Sequence, residues 1–362
     1  MPMRCFRQIL LSAPVLLAVI MCGPARGAVS WKTILDQPSG WYGAEEAVRI
    51  AERVLAFQLP SGGWTKNIDL AADRSAEERA QLLRRAAEAG STIDNGATTR
   101  ELRFLARVYR AHPDERWAEA IRRGVDYLLQ AQYPNGGWPQ FYPLIGGYHD
   151  HITYNDDAMI RVLRLLRDVA CGAPDFAFRG AEMRQRAAEA VERGVACILA
   201  TQVVVDGEKT VWCAQHDAET LAPAPARKYE PISLSGVESV EIVRFLMELD
   251  DFSPAIVEAV EGAVAWFERT AIRGFRYEFV DAPGLPGGRD RVLVPDPEAG
   301  PLWARFYDIE TQRPIFLGRD SVVHERLSEI EHERRVGYRW YSGAAAGLLA
   351  RDLPRWRWRR TG

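Results

Sequence analysis

The chain has 362 residues, with 46 basic side chains against 49 acidic ones and a formal net charge of −3. The balance leaves no general basic face, which argues against nucleic acid as a partner, and the apolar content is that of a globular protein rather than a disordered tail. The length suits one or two domains, or one repeat fold that uses it all.

The first segment reads as an export signal. Arg4 and Arg7 form a basic head, Ile9 to Met21 is a short apolar run, and Ala25-Arg26-Gly27 offers small residues for cleavage. This places a signal peptide over residues 1–27 and the mature start near Ala28. A membrane anchor is the alternative, but the run is short for a span. Cys22 follows Ile20 and Met21, a poor lipoprotein box. The expected product is an exported, soluble monomer without stable membrane insertion, in one catalytic domain over residues 28–362. Losing Arg4, Arg7 and Arg26 takes the formal charge from −3 to −6. Cys171, Cys197 and Cys213 then remain, an odd number too widely spaced for a disulfide framework or a zinc site. They read as small buried hydrophobes, with one disulfide left open.

Apolar residues at i, i+3, i+4 and i+7 predict helices over Ala44–Gln58, Thr99–Ala111, Asp114–Gln132, Ala158–Ala170, Gly180–Gln202, Val237–Leu249 and Pro254–Thr270. Between them a turn recurs. Gln58 to Trp64 (QLPSGGW) matches Gln132 to Trp138 (QYPNGGW) at an offset of 74 residues. Gln202 with Trp212 is a worn third copy, and Thr270 with Gly274 and Phe275 a fourth echo. That period suits a helical hairpin. The prediction is a mainly α fold, an (α/α) toroid of antiparallel hairpins, with an open superhelix as the alternative. The stretch from Arg273 to Tyr338, rich in Gly, Pro and aromatics, reads as long loops with short strands over one end.

After each Gln turn the next helix opens on a polar run: Asp94 to Thr99 (DNGATT), Tyr154 to Asp157 (YNDD) and Ser233 to Gly236 (SLSG). Equal stages of a repeat lie at one end of a toroid, so the three runs should converge. Helix caps explain part of this, and Thr98-x-x-Glu101 and Ser235-x-x-Glu238 both fit capping boxes. Asp94-Asn95 and Asn155-Asp156-Asp157 nevertheless supply more oxygen ligands than caps consume. Carboxylates with an amide oxygen suit a hard cation, calcium before magnesium. His149 and His151 read as loop residues. Arginines beside aromatics follow, at Arg227, Arg305, Arg319 and Arg334-Arg335. With 42 Arg against 4 Lys, a single arginine is weak testimony, and the scarce Lys66 is notable. Acids for a cation, guanidinium groups for carboxylates, and the aromatics Trp64, Trp138, Phe141, Tyr142 and Tyr148 together suit an acidic polysaccharide.

These residues carry a resemblance. Gly62-Gly63-Trp64-x-Lys66-Asn67, Asp94-Asn95-x-x-Thr98-Thr99, Asn135-Gly136-Gly137-Trp138-Pro139-Gln140, Ile152 to Met159, Arg227-x-Tyr229-Glu230-Pro231-x-Ser233, Arg305-Phe306-Tyr307-Asp308 and Arg335-x-Gly337-Tyr338 resemble, in order, the motif series of the family 10 polysaccharide lyases, which are pectate lyases. The resemblance implies an (α/α) toroid, exported pectate lyase activity and Ca2+. It places calcium handling on Asp94, Asn95 and Asp156, the catalytic base on Arg227, and grip on the carboxylates of polygalacturonate on Arg305 and Arg319, with Lys66 as a further substrate contact. Neighbouring cations are expected to lower the proton affinity of Arg227. Three rivals remain at this stage. One is a triterpene cyclase, which shares the Gln turn, although no Asp-x-Asp-Asp motif occurs here. Another is an inverting glycoside hydrolase using Asp94 with Asp156 or Asp157. The last is a non-catalytic sugar-binding module.

Overall fold

The computed structural model describes residues 29–361; the expected signal peptide lies outside them. The chain divides into two compact units. Of the described residues, the first comprises those up to Thr92, Ala97–Gln130 and Leu165–Ala188; the second comprises Ile93–Gly96, Ala131–Arg164 and those from Glu189 onward.

In the first unit, helices α1 (Glu45–Ala56), α2 (Ala76–Ala89), α3 (Thr99–Ala111) and α4 (Glu115–Gln130) follow one another. Leu102, Phe104, Leu105 and Val108 of α3 are buried, as are Trp117, Ile121, Val125 and Leu128 of α4. The spacing of these residues is the 3.6-residue stripe of an amphipathic helix. Gly124 lets the two helices close: a Cβ there would stand 2.5 Å from Leu102 Cδ2. In the second unit Gly194, on α6 (Ala181–Thr201), plays the same part against Leu163 of α5 (Ala158–Ala170), at 2.4 Å. Helices α7 (Glu238–Glu248) and α8 (Pro254–Thr270) complete the series. No helix of the described residues is long and apolar enough to cross a membrane.

The Gln turns act as stitches. Gln58 Nε2 donates to the Gly62 carbonyl of its own turn and to Ala120 of α4. Gln132 does the same with Gly136 and Ala190, and Gln202 with Thr210 and Ala259. Each turn thus ties the end of one hairpin to the second helix of the next, and each bond adds roughly 1 kcal/mol. Tryptophan closes the turn from the other side. The indoles of Trp64 and Trp212 donate to Val54 and Ile198 on the preceding helix, at 2.8 and 2.7 Å. The fourth copy differs from the expected Thr270 echo. Its tryptophan is Trp303, whose indole donates to Phe267 of α8 at 2.9 Å. A hairpin of two seven-residue strands, Phe275–Asp281 and Arg289–Pro295, stands between them and hides the repeat in the sequence. Trp64 and Trp138 are 1% and 0% exposed, so neither can stack on a sugar, against the expectation that they would.

The capping box expected at Thr98 is absent. Thr98 Oγ1 accepts from Trp64 N and donates to the Thr92 carbonyl. Glu101 is instead buried, and desolvation pushes its carboxyl up to about 7. A carboxyl raised in the folded state contributes stability that is whole below its unfolded value and is lost as pH rises through the folded one. Glu101→Gln should therefore raise stability on the order of 2 kcal/mol at about pH 8.5 and give no gain at about pH 4. Thermal melts of both proteins at the two pH values check this, and equal differences at both would contradict it.

Candidate active site

Three short antiparallel pairings in the second unit assemble the site. Ile152–Thr153 pairs with Gln215–His216. The Ala214 carbonyl then accepts from the Tyr154 and Asn155 amides, at 2.9 and 3.0 Å, which fixes the start of the Asn155–Asp157 turn. Leu234–Ser235 pairs with Phe306–Tyr307, and Gly236 N donates to the Arg305 carbonyl. This brings Arg305 to the first turn of α7. Trp303–Ala304 pairs with Tyr341–Ser342, and Arg305 N donates to the Trp340 carbonyl at 2.8 Å. Tyr338 is thereby carried to the same place.

The acid cluster shows the repeat at backbone level. Asn95 and Gly96 have φ of 53° and 74°, and Asp156 and Asp157 have φ of 51° and 59°. These two matched left-handed pairs make four residues, three of them with side chains, in strained conformations of the kind that gathers at functional sites. Asp94 is buried and Asn95 exposed. The Asp156 carboxyl is pushed up by burial, and by the Glu238 and Asp94 carboxylates against the pull of Arg305. Asp157 is pushed up to about 6, first by burial and then by Glu238. Arg305 and Arg161 lie 3.6 Å from the Asp156 and Asp157 carboxylates of the cluster, respectively.

Arg305 is the buried cation facing it. Its Nη2 donates to Glu238 Oε1 at 2.5 Å and to Asn155 Oδ1 at 3.1 Å, and lies 3.6 Å from Asp156 Oδ1. Burial pulls its proton affinity down, but Glu238 and the charges beyond it lift it well above the ordinary value. Glu238 is 2% exposed and also accepts from the Ser235 hydroxyl. Sequence reading gave Glu238 only a capping part; the Ser-x-x-Glu spacing is there, but the carboxylate also serves as counter-ion to Arg305.

Arg227 stands in the turn before α7. Its Nε donates to Glu230 Oε2 at 2.9 Å, and its Nη2 donates to Glu230 Oε1. This corrects the expectation of a weakened proton affinity. Hydrogen bonds from the guanidinium to Glu230 hold its proton affinity above the ordinary value, and burial only partly offsets them. Tyr338 Oη also donates to Glu230 Oε1, at 3.0 Å. A cavity of about 10 Å³ lies between Asn155, Gln215, Glu230 and Tyr338, room for about one water.

Guanidinium groups and rings alternate across this face. Arg319 and Arg334 both lie over Tyr229, at 4.7 and 4.6 Å; Arg334 and Arg305 both lie over Tyr338, at 4.5 and 4.9 Å. Arg319 is the outer member, half exposed and paired with Glu333 at 2.6 Å. Arg334 is buried, and desolvation lowers its proton affinity. The second unit thus brings together Asp94, Asn95, Asp156, Arg227, Arg305 and Arg319. Lys66 belongs to the first unit, half-buried two residues beyond Trp64. Glu238, Glu230 and Tyr338 are the members that sequence reading left without a site role, and Arg334 was named there only as one of several arginines beside aromatics. Cys197 and Cys213 are free buried thiols, as their small apolar character suggested, whereas Cys171 is half-buried.

The family model described as Pectic acid lyase matches residues 58–349. The chain belongs to the pectic acid lyase family. Two solved structures agree with that. The family 10 polysaccharide lyase from Cellvibrio cellulosa is 35% identical, with a TM-score of 0.74 over 86% of this chain and 93% of that one. An aspartate mutant of the Cellvibrio enzyme, solved in complex with trigalacturonic acid, is 34% identical, with a TM-score of 0.74 over 89% of this chain and 98% of that one. No curated protein is matched. As a family 10 polysaccharide lyase, the chain has the (α/α)-toroid fold expected from the hairpin repeat, and it is a lyase rather than a cyclase, a hydrolase or a binding module.

Proposed function

We propose that this pectic acid lyase cleaves α-1,4-linked galacturonan by β-elimination, with Arg227 as the base and calcium at the acid cluster. The observation that carries the reading is the convergence of Arg227, Arg305, Asp94 and Asp156 within one unit of a chain of this family. The relative bound to trigalacturonic acid supports the substrate class. The proton leaves C5 for Arg227, the C5–H pair forms the C4=C5 bond, and the C4–O4 bond breaks. The departing oxygen takes its proton from water.

H5 is weakly acidic because the neighbouring carboxylate is already anionic. Cations that neutralise that carboxylate stabilise the charge developing on it, a term that dominates such reactions. Arg305 is fixed by Glu238 and needs no reorganisation. Arg319 is held by an exposed ion pair, which is worth little, so it can exchange Glu333 for a substrate carboxylate cheaply.

The cation site fits the residues present. Among the described residues no three His, Cys, Asp or Glu side chains form a ready metal cage. Two carboxylates and an amide, Asp94, Asp156 and Asn95, with the Glu238 and Asp94 carboxylates acting on Asp156, are oxygen donors of the kind that suits calcium shared with an anionic ligand. Bound there, calcium would supply Lewis-acid neutralisation of the uronate carboxylate. We read residues 1–27 as an export signal, so the site of action is outside the cytoplasm, where polymeric pectate is available.

Product mass tests the reaction type. Elimination leaves oligouronates whose new non-reducing ends are one water lighter than hydrolysis would give. Mass spectra showing only the hydrated products would overturn this reading.

A further inference from the structure

We propose that Glu230, oriented by Tyr338, is the positioning residue for Arg227 and sets the pH range in which Arg227 can accept a proton. The proposal rests on the reading of Arg227 as the base and assigns the atom that acts.

The turn that carries Arg227 is closed twice. Its backbone is closed by Glu230 N donating to the Arg227 carbonyl at 2.7 Å, and by Ala226 N donating to the Glu230 carbonyl at 3.1 Å. Its side chains are closed by the two-point fork between the guanidinium and the Glu230 carboxylate. Such a fork fixes the plane of the guanidinium as well as its distance. The two partners are unequal: the Glu230 side chain is 10% exposed and that of Arg227 46% exposed. Glu230 is the buried anchor and Arg227 the open end.

The anchor is itself held. Tyr338 Oη donates to Glu230 Oε1, the oxygen that also takes Arg227 Nη2. The Tyr338 ring in turn packs against the guanidinium groups of Arg334 and Arg305, at 4.5 and 4.9 Å. Burial pushes the Tyr338 phenol up, so it remains a donor across the working range. Other groups facing the pair are Tyr229 within the turn, Tyr148 from the segment before α5, and Arg334 and Arg305 from the C-terminal third. The nearby cations keep Glu230 ionised.

Two consequences follow from this geometry. Glu230 occupies Nε and Nη2, which leaves Nη1 as the nitrogen open to substrate and so as the atom that takes the C5 proton. The full negative charge of Glu230 also favours the protonated guanidinium, so the fraction of enzyme ready to act as a base grows only toward alkaline pH. Orientation and charge come from one side chain, yet they can be separated. Glu230→Gln keeps the size and one acceptor oxygen while removing the charge. Tyr338→Phe keeps the charge and removes the bond that orients it.

The experiment is the pH profile of kcat/KM for the wild type, Glu230→Gln and Tyr338→Phe on polygalacturonate at fixed calcium. Glu230→Gln should move the alkaline limb down by about one pH unit or more, with KM changed less than about threefold. Tyr338→Phe should lower kcat about tenfold at every pH and leave the limb in place. A limb that stays put in Glu230→Gln overturns the proposal. If that variant does not fold, unchanged kcat in Tyr338→Phe overturns it instead. Two further measurements separate this outcome from failure of the base reading. Arg227→Lys retaining more than about a tenth of the activity ends the base reading and the pH claim with it. If Arg227→Lys is inactive, phenylglyoxal modification of Arg227, mapped by peptide, should proceed several-fold faster in Glu230→Gln. An unchanged modification rate would then remove Glu230 from its role while Arg227 keeps its own.

Discussion

Arg227→Ala should lower kcat by roughly three orders of magnitude, the usual scale for losing a positioned base, with KM little changed. The split is expected because Arg227 is engaged with Glu230 rather than with the groups read as holding substrate. Arg305, Arg319 and the acid cluster remain, so the chain should bind and the developing charge should still be stabilised. The residual rate then measures that electrostatic contribution. Arginine is a reluctant base, since a free guanidinium is effectively always protonated, and here Glu230 strengthens the proton's hold. The rate at saturating calcium should accordingly rise between about pH 7 and about pH 9.5. A fall across that range in an enzyme that stays folded would remove Arg227 as the base, as would wild-type kcat in Arg227→Ala.

Arg305→Ala should damage the protein twice. The Glu238 carboxylate, 2% exposed, would keep only the Ser235 hydroxyl as a side-chain partner, and Asn155 Oδ1 would lose its donor. Stranding one member of a buried ion pair costs about 3–5 kcal/mol, and denaturant unfolding reads it directly. Activity should fall as well, because the charge that faces Asp156 and the substrate carboxylate is gone. The double variant Arg305→Met with Glu238→Gln separates the two losses. Removing both charges should recover much of the stability and none of the activity. If Arg305→Ala unfolds at the wild-type denaturant midpoint, the pair is not a buried strut.

Much of this was legible in the sequence, for a physical reason. Helices that bury one face write their limits in apolar spacing, and Thr99–Ala111, Ala158–Ala170 and Pro254–Thr270 have the predicted bounds. Helix α2 does not advertise itself, because Ala86 is its one buried residue and its Glu, Arg and Ala residues leave no stripe to read. The Gln turn repeated because its glutamine makes the same two bonds each time. Trp303 escaped because the Phe275–Pro295 hairpin separates it from its glycine. The candidate site was legible where it follows the repeat, at Asp94, Asn95 and Asp156. It was illegible where one residue type serves two ends. Glu238 looks like a cap and is also a counter-ion. Trp64 and Trp138 look like sugar platforms and are buried pins. Glu230 lies beside Arg227 in the sequence, but only the folded turn shows that it grips two nitrogens and leaves the third open.

The central claim is elimination assisted by a cation at the acid cluster. The most direct test follows the ultraviolet absorbance of the conjugated 4,5-unsaturated uronate while the purified enzyme acts on polygalacturonate, first with calcium, then with a chelator, then with calcium restored. The expected trace rises with calcium, stops with the chelator and resumes on restoration. Chain cleavage without any rise in absorbance would contradict elimination, and a rise indifferent to the chelator would contradict the role given to Asp94, Asn95 and Asp156.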